Sequence, residues 1–183
     1  TEFVDHCVGV MLKSLDESAH AKNTIIVLWS DHGWHLGEKE HWAKRSLWEE
    51  STRVPLILAG PGIVKGTSPR AVGLIDLYPT LSELCGLPKP PQKLEGRSLL
   101  PLLKNPKDIW PHAALTTFHR NDHTLRTERW RYIRYANGDE ELYDHTKDSH
   151  EWNNLAKDEK FAAVLKRFRG QLPEVNALDS PTR

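Results

Sequence analysis

The stretch NTIIVLWSDHGWHLGEKEHWAKRSLWEESTRVPLILAGPG, residues 23 to 62, decides how the chain is read. It opens with TIIVLW, a short run rich in β-branched residues and apolar on both alternating faces. Such a run suits a central parallel strand covered by helices on both sides. The run stops at Ser30, and polar chemistry follows at once: Asp31, His32, Trp34, His35, His41 and Lys44. VPLILAG, residues 54 to 60, is a second candidate strand, closed by the turn Gly60-Pro61-Gly62. Ligands of open α/β sheets bind beyond the carboxyl ends of the strands, where Ser30-Asp31-His32-Gly33 falls. Gly33 supplies a bend that lets the adjacent Asp31 and His32 converge. A carboxylate beside an imidazole makes a pair of metal ligands, the oxygen suited to hard cations and the ring to zinc-like ones. A lysine close by can stabilise negative charge that builds on a leaving oxygen. The plainer alternatives are an aspartate that caps a turn, a histidine satisfied by backbone and a solvated surface lysine.

Working outward, residues 2 to 18 place Phe3, Val4, Cys7, Val8, Met11, Leu12 and Leu15 at helical spacing. They predict an amphipathic helix with a wide buried stripe, in which Cys7 is a core residue. In AVGLIDLYPTLSELCGLP, residues 71 to 88, Asp76 and Pro79-Thr80-Leu81 mark a helix start, and Gly86 and Pro88 mark its stop. Residues 88 to 111 hold Pro88, Pro90, Pro91, Pro101, Pro106 and Pro111, the natural place for a domain seam. Beyond it, HAALTTF and HTLRTERWRYIRYANGDEELYDHT read as three short strands, the last two joined at Asn137-Gly138-Asp139. Arg126 and Arg129 fall on the solvated face of that sheet. His119 and His123, just before it, are further candidates for a substrate contact. A helix resumes near Lys157, with Phe161, Val164, Leu165 and Phe168 as its stripe, and the tail NALDSPTR is expected to fray. Together these elements give an α/β region with a small antiparallel α+β appendage.

Composition narrows the function classes. Lys plus Arg number 25 and Asp plus Glu number 25, so no long-range field favours nucleic acid or an acidic membrane surface. No apolar run approaches the roughly 20 residues of a membrane helix. The two cysteines form no CxxC pair, so neither a disulfide framework nor a thiolate zinc site is indicated. The start, TEFVDHCVGV, has neither Met nor the pattern of a signal peptide, so the chain reads as a mature or internal piece.

Three separated motifs carry a family resemblance. SDHGWHLGEKEHWAK…STRVPLILAGPG resembles the sulfatases of the alkaline phosphatase superfamily, most closely the iduronate-2-sulfatase-like branch. LIDLYPTLSELCGL is similar to the Asp-x-x-Pro-Thr-Leu helix start of that family, and LRTERWRYIRYANGDEELYDHTKDSHEWNNLA to its C-terminal subdomain. The resemblance implies the C-terminal part of an alkaline-phosphatase-like α/β sulfatase fold over residues 1–105. A small antiparallel α+β subdomain would follow over residues 106–183. It implies hydrolysis of a sulfate ester on a sulfated carbohydrate, with Asp31 on a calcium ion and His32 either beside it on the metal or in contact with the sulfate. Lys44 would bind the sulfate group. Trp34, His35 and His41 lie outside the general family pattern and are candidates either for a sugar subsite or for local packing of the loop.

The formylglycine nucleophile of such enzymes derives from cysteine in Cys-x-Pro-x-Arg. Here Cys7 precedes Val-Gly-Val-Met and Cys85 precedes Gly-Leu-Pro-Lys, so neither fits. The chain is therefore expected to need the N-terminal half of the fold and to be inactive alone. The family also implies a secreted, periplasmic or lysosomal home. A two-zinc phosphodiesterase or phosphatase of the same superfamily is the alternative, and a non-catalytic truncated product is another.

Overall fold

The two strands expected in residues 23–62 form, but they run in opposite directions. In the computed structural model, which describes residues 1–178, β1 (Ile26–Trp29) pairs antiparallel with β2 (Leu56–Ala59), Ile26 opposite Ala59 and Trp29 opposite Leu56. The run expected as a central parallel strand has, among the described residues, an antiparallel partner. An apolar β-branched run marks a strand but carries no information about its partner's direction, and β1 is only partly covered here, with Trp29 52% exposed. The reversal matters for the site. Everything between the strands, residues 30–55, leaves and returns at the same end of the sheet, and a one-turn helix α2 (Glu49–Thr52) lies on the way back.

Upstream, α1 (Glu2–Asp16) forms as expected, with Glu2 and Asp5 in its first turn and Lys13 in its last, a charge order that complements the helix dipole. Its stripe is a second correction: no residue of α1 is buried, and Phe3 and Met11 are 78% and 64% exposed. Cys7 is partly exposed rather than core, and Cys85 is exposed. The apolar spacing made the helix, but among the described residues no element covers it.

Downstream of β2, α3 (Leu77–Leu84) starts after a 3₁₀ turn at Leu74–Asp76. Buried Asp76 accepts hydrogen bonds from the backbone N–H of Gly73 (2.9 Å) and of Arg97 (2.7 Å). Thr80 donates to the Asp76 carbonyl (2.5 Å) and accepts from the Leu99 N–H (2.8 Å). The Asp-x-x-Pro-Thr motif therefore closes the turn before its helix and staples residues 97–99, which lead into α4 (Leu100–Lys104).

A four-stranded antiparallel meander follows: β3 (Ala114–Thr117), β4 (His123–Arg126), β5 (Trp130–Arg134) and β6 (Glu140–Asp144). Three strands were expected. The run LRTERWRYIRY is split because Thr127 turns it, its N–H bonding the Trp130 carbonyl (2.9 Å) and its Oγ1 accepting from the Trp130 N–H (3.0 Å). Asn137-Gly138-Asp139 does join the next two strands, with Gly138 at φ +96. Leu125, Trp130, Tyr132 and Leu142 pack on Leu165 and Phe168 of α5 (Ala162–Arg169), Tyr132 stacking on Phe168 at 5.7 Å. Alternation sends Ile133 and Tyr143 to the other face, where they pack on Leu47. That second core ties the meander to the segment just beyond Lys44. Of the tail expected to fray, residues 179–183 lie outside the described part.

Candidate functional site

The loop that leaves β1 folds back on itself. The His35 N–H bonds the Ala43 carbonyl (2.9 Å) and the Gly37 N–H bonds the His41 carbonyl (3.1 Å), which carries Lys44 alongside His32. Lys44 Nζ lies 2.6 Å from His32 Nε2, and Asp31 Oδ2 lies 3.6 Å from the same nitrogen. The other ring nitrogen, Nδ1, is 2.8 Å from the Gly33 carbonyl. A carbonyl only accepts, so Nδ1 carries the proton and donates, and Nε2 presents a lone pair that receives the lysine ammonium. Asp31, His32 and Lys44 thus meet on the wall of a cavity of about 1170 Å³, which Arg45, Thr117 and Arg126 also line.

Gly33 has a different task from the one its sequence suggests. Its φ is not positive. Instead, its N–H bonds the Ser51 carbonyl (2.9 Å), and a Cβ there would lie 1.9 Å from the Glu50 carbonyl oxygen. Glycine is required for close approach of two backbones, which seats the Asp31-His32 pair against α2.

The three candidate subsite residues separate. His35 is completely buried, Nε2 within 2.9 Å of Ser46 Oγ and Nδ1 within 3.3 Å of the Glu38 carbonyl. Burial is the main force pulling its pKa below the usual histidine value, and nearby His41 acts in the same sense. His35 is thus packed inside the loop and does not line the cavity. His41 is half-buried, edge-on to His35 at 5.0 Å. Trp34 is 51% exposed, its ring centroid 6.3 Å from that of His32, so it alone of the three keeps an open aromatic face. His123 is buried and paired with Thr117 Oγ1 (2.8 Å), while His119 is exposed.

A charged network was not foreseen. Arg131 of β5 is fully buried, pairs with Glu49 and Glu151, and donates to the Leu47 carbonyl (3.0 Å). Arg126, expected on a solvated face, bonds Glu49 Oε2 (3.0 Å) and His145 Nδ1 (2.9 Å), and His145 Nε2 meets Glu151 Oε1 (2.8 Å). Arg129 does stay at the surface, paired with Asp144. Burial alone would raise the Glu49 pKa, but Arg131 and Arg126 reverse this and bring it to about 2. Glu49, His145 and Glu151 bring ligand atoms within 4.8 Å of one another. Guanidinium groups already engage both carboxylates, so the cluster as it stands is an ion-pair network. The available signal was that Arg131 shares a strand face with Ile133, which a solvated face would not carry.

Comparison with known proteins places these features. The family described as "N-sulphoglucosamine sulphohydrolase, C-terminal" matches residues 37–177. A protein named "Sulfatase" from Formosa agariphila is 43% identical over 96% of this chain and 34% of its own length. A Delta 4,5-hexuronate-2-O-sulfatase of Bacteroides thetaiotaomicron is 34% identical over 95% of this chain and 39% of its own length. Among solved structures, one in complex with its substrate D-glucosamine-2-N,6-O-disulfate superposes with a TM-score of 0.77 at 30% identity, covering 92% of this chain and 37% of the other. The chain spans a little over a third of the length of these relatives.

Proposed function

Given that the chain belongs to the sulfatases and corresponds to their C-terminal part, we propose that it supplies one wall of the active site of a sulfuric ester hydrolase acting on a sulfated carbohydrate. The observation that carries this reading is the meeting of Asp31, His32 and Lys44, with Lys44 Nζ 2.6 Å and Asp31 Oδ2 3.6 Å from one imidazole nitrogen. An ammonium held at a cavity wall by an imidazole lone pair suits a sulfo group. Lys44 neutralises the ester oxygens as charge builds on the leaving group. His32, its proton fixed on Nδ1 by the Gly33 carbonyl, accepts from Lys44 at Nε2 and so orients the ammonium toward that group. Trp34 offers a face for a sugar ring.

A divalent cation, calcium in the finer form of the proposal, would sit on Asp31. Calcium takes roughly six to eight oxygens, the exposed Asp31 carboxylate provides at most two, and His32 Nε2 is engaged by Lys44. Asp31 therefore fits as one ligand of a shell completed by groups outside this chain, and His32 is better assigned to holding Lys44 in place. The nucleophile would likewise come from outside it, because neither Cys7 nor Cys85 has the required context. The division into residues 1–105 and 106–183 and an extracytosolic location belong to the same proposal.

The test is sulfate release, followed by ion chromatography, from lyase digests of sulfated glycans by the full-length protein that contains this chain. Release of sulfate that falls on chelation and returns with calcium supports the reading. Hydrolysis of bis-4-nitrophenyl phosphate with zinc and no sulfate release overturns it in favour of phosphoryl chemistry.

A further inference from the structure

Resting on that reading of Lys44, we propose that the four-stranded meander is a clamp that sets the catalytic loop, with Lys39 and Arg131 as its positioning residues. Lys39 sits at the apex of the loop between His32 and Lys44. Both Lys39 (φ 54) and Glu40 (φ 56) adopt the left-handed conformation, which is uncommon for residues other than glycine and persists only where surroundings over-determine it. The surroundings here are an aromatic box. Lys39 Nζ lies 4.9 Å from the Trp48 ring centroid, 4.8 Å from that of Tyr143 and 5.8 Å from that of Trp152. It also donates to the Tyr143 hydroxyl (3.3 Å) and to the Glu151 carbonyl. Tyr143 belongs to β6, and Trp152 and Glu151 to the segment after it.

The far side of Lys44 is gripped by the same unit. Arg131 holds the Leu47 carbonyl, Trp48 Nε1 donates to Glu141 Oε2 (2.7 Å), and the Glu49 N–H donates to Glu151 Oε2 (3.0 Å). Lys44, which contacts His32, thus lies on a span pinned five residues before it and three residues after it to one sheet. Lys39 does not line the cavity, and Arg131, which does, has its guanidinium held by Glu49, Glu151 and the Leu47 carbonyl. Each acts through the placement of Lys44.

The experiment compares Lys39→Met, which keeps the aliphatic stem and loses the ammonium, with Lys39→Arg in the full-length protein. The substrate is the sulfated disaccharide that the wild type desulfates fastest in a heparin-lyase digest. Lys39→Met is expected to lower kcat about tenfold with KM held within about twofold, since small misplacement of a catalytic group is costly. Lys39→Arg is expected to recover most of the loss. Amide exchange should quicken across residues 35–44 and stay unchanged across residues 130–134. Placed on Lys44→Ala, Lys39→Met should add no further loss, because both act through one group. Trp152→Leu, at an exposed ring, repeats the comparison where folding is not at stake. Unchanged loop exchange, or an equal loss in both backgrounds, overturns the clamp. Full activity in Lys44→Ala overturns the active-site reading as well, whereas loss in Lys44→Ala with none in Lys39→Met overturns the clamp alone.

Discussion

At the scale of single residues, Lys44 is where charge and geometry coincide. Its ammonium donates to the same imidazole nitrogen that Asp31 approaches, so removal takes away the one cation in direct contact with the pair among the described residues. Lys44→Ala in the full-length protein is expected to cut kcat for sulfate release by about 10²–10³-fold, the cost of losing one preorganised group at a developing anion. Stability should barely change, because Lys44 is exposed. Initial-rate kinetics beside a thermal melt check both halves of that statement. Gly33→Ala should behave in the opposite way. A methyl 1.9 Å from the Glu50 carbonyl forces the loop off α2 and is expected to cost about 1–3 kcal/mol in urea unfolding. The sequence announced Asp31, His32 and Lys44 by type and order. It could not show that Gly33 serves proximity rather than a bend, because glycine at a crowded contact and glycine at a positive φ look alike in one sequence.

At the scale of elements, α2 and β5 are joined by a buried ion network whose behaviour with pH follows from Glu49. Its carboxyl titrates at about 2 in the folded chain, against an ordinary 4.5. A folded-state value below the unfolded one means stabilisation that is complete above about 4.5 and is lost as the pH falls toward 2. A depression of that size corresponds to roughly 3 kcal/mol at most. The urea midpoint is expected to fall steeply over that interval, and Glu49→Gln is expected to lower stability at neutral pH while flattening the acid slope. An unaltered slope in that variant would remove Glu49 from the account. This network was hidden from sequence reading, since its members are spread from residue 49 to residue 151 and only the fold brings them together. Local patterns fared better. The stripe of α5, the Asp76 helix start and the Asn137-Gly138 turn depend on neighbours within a few residues, and all were legible.

At the scale of the whole molecule, the two halves of the chain differ in how well they bury their apolar faces. The meander and α5 close a core in which Tyr132, Leu142 and Phe168 have no exposure at all. The first half does not: Phe3 and Met11 on α1, Trp29 on β1 and Ile57 on β2 remain open, and β1 has β2 as its one partner among the described residues. An apolar face of this kind marks a surface that another element covers, and the relatives are nearly three times as long. The 183-residue chain expressed alone is expected to bind 1-anilinonaphthalene-8-sulfonate and to self-associate in sedimentation. Its amides should exchange slowly across residues 123–144 and quickly across α1 and β1, because local stability follows buried apolar contact. Joined to the region that precedes it in the full-length protein, the same chain should sediment as a single species and lose the dye. Uniform protection of α1, β1 and the meander in the isolated chain, together with one sharp cooperative melt, would show that these faces need no cover. Lys44 would then stand on a self-sufficient fold.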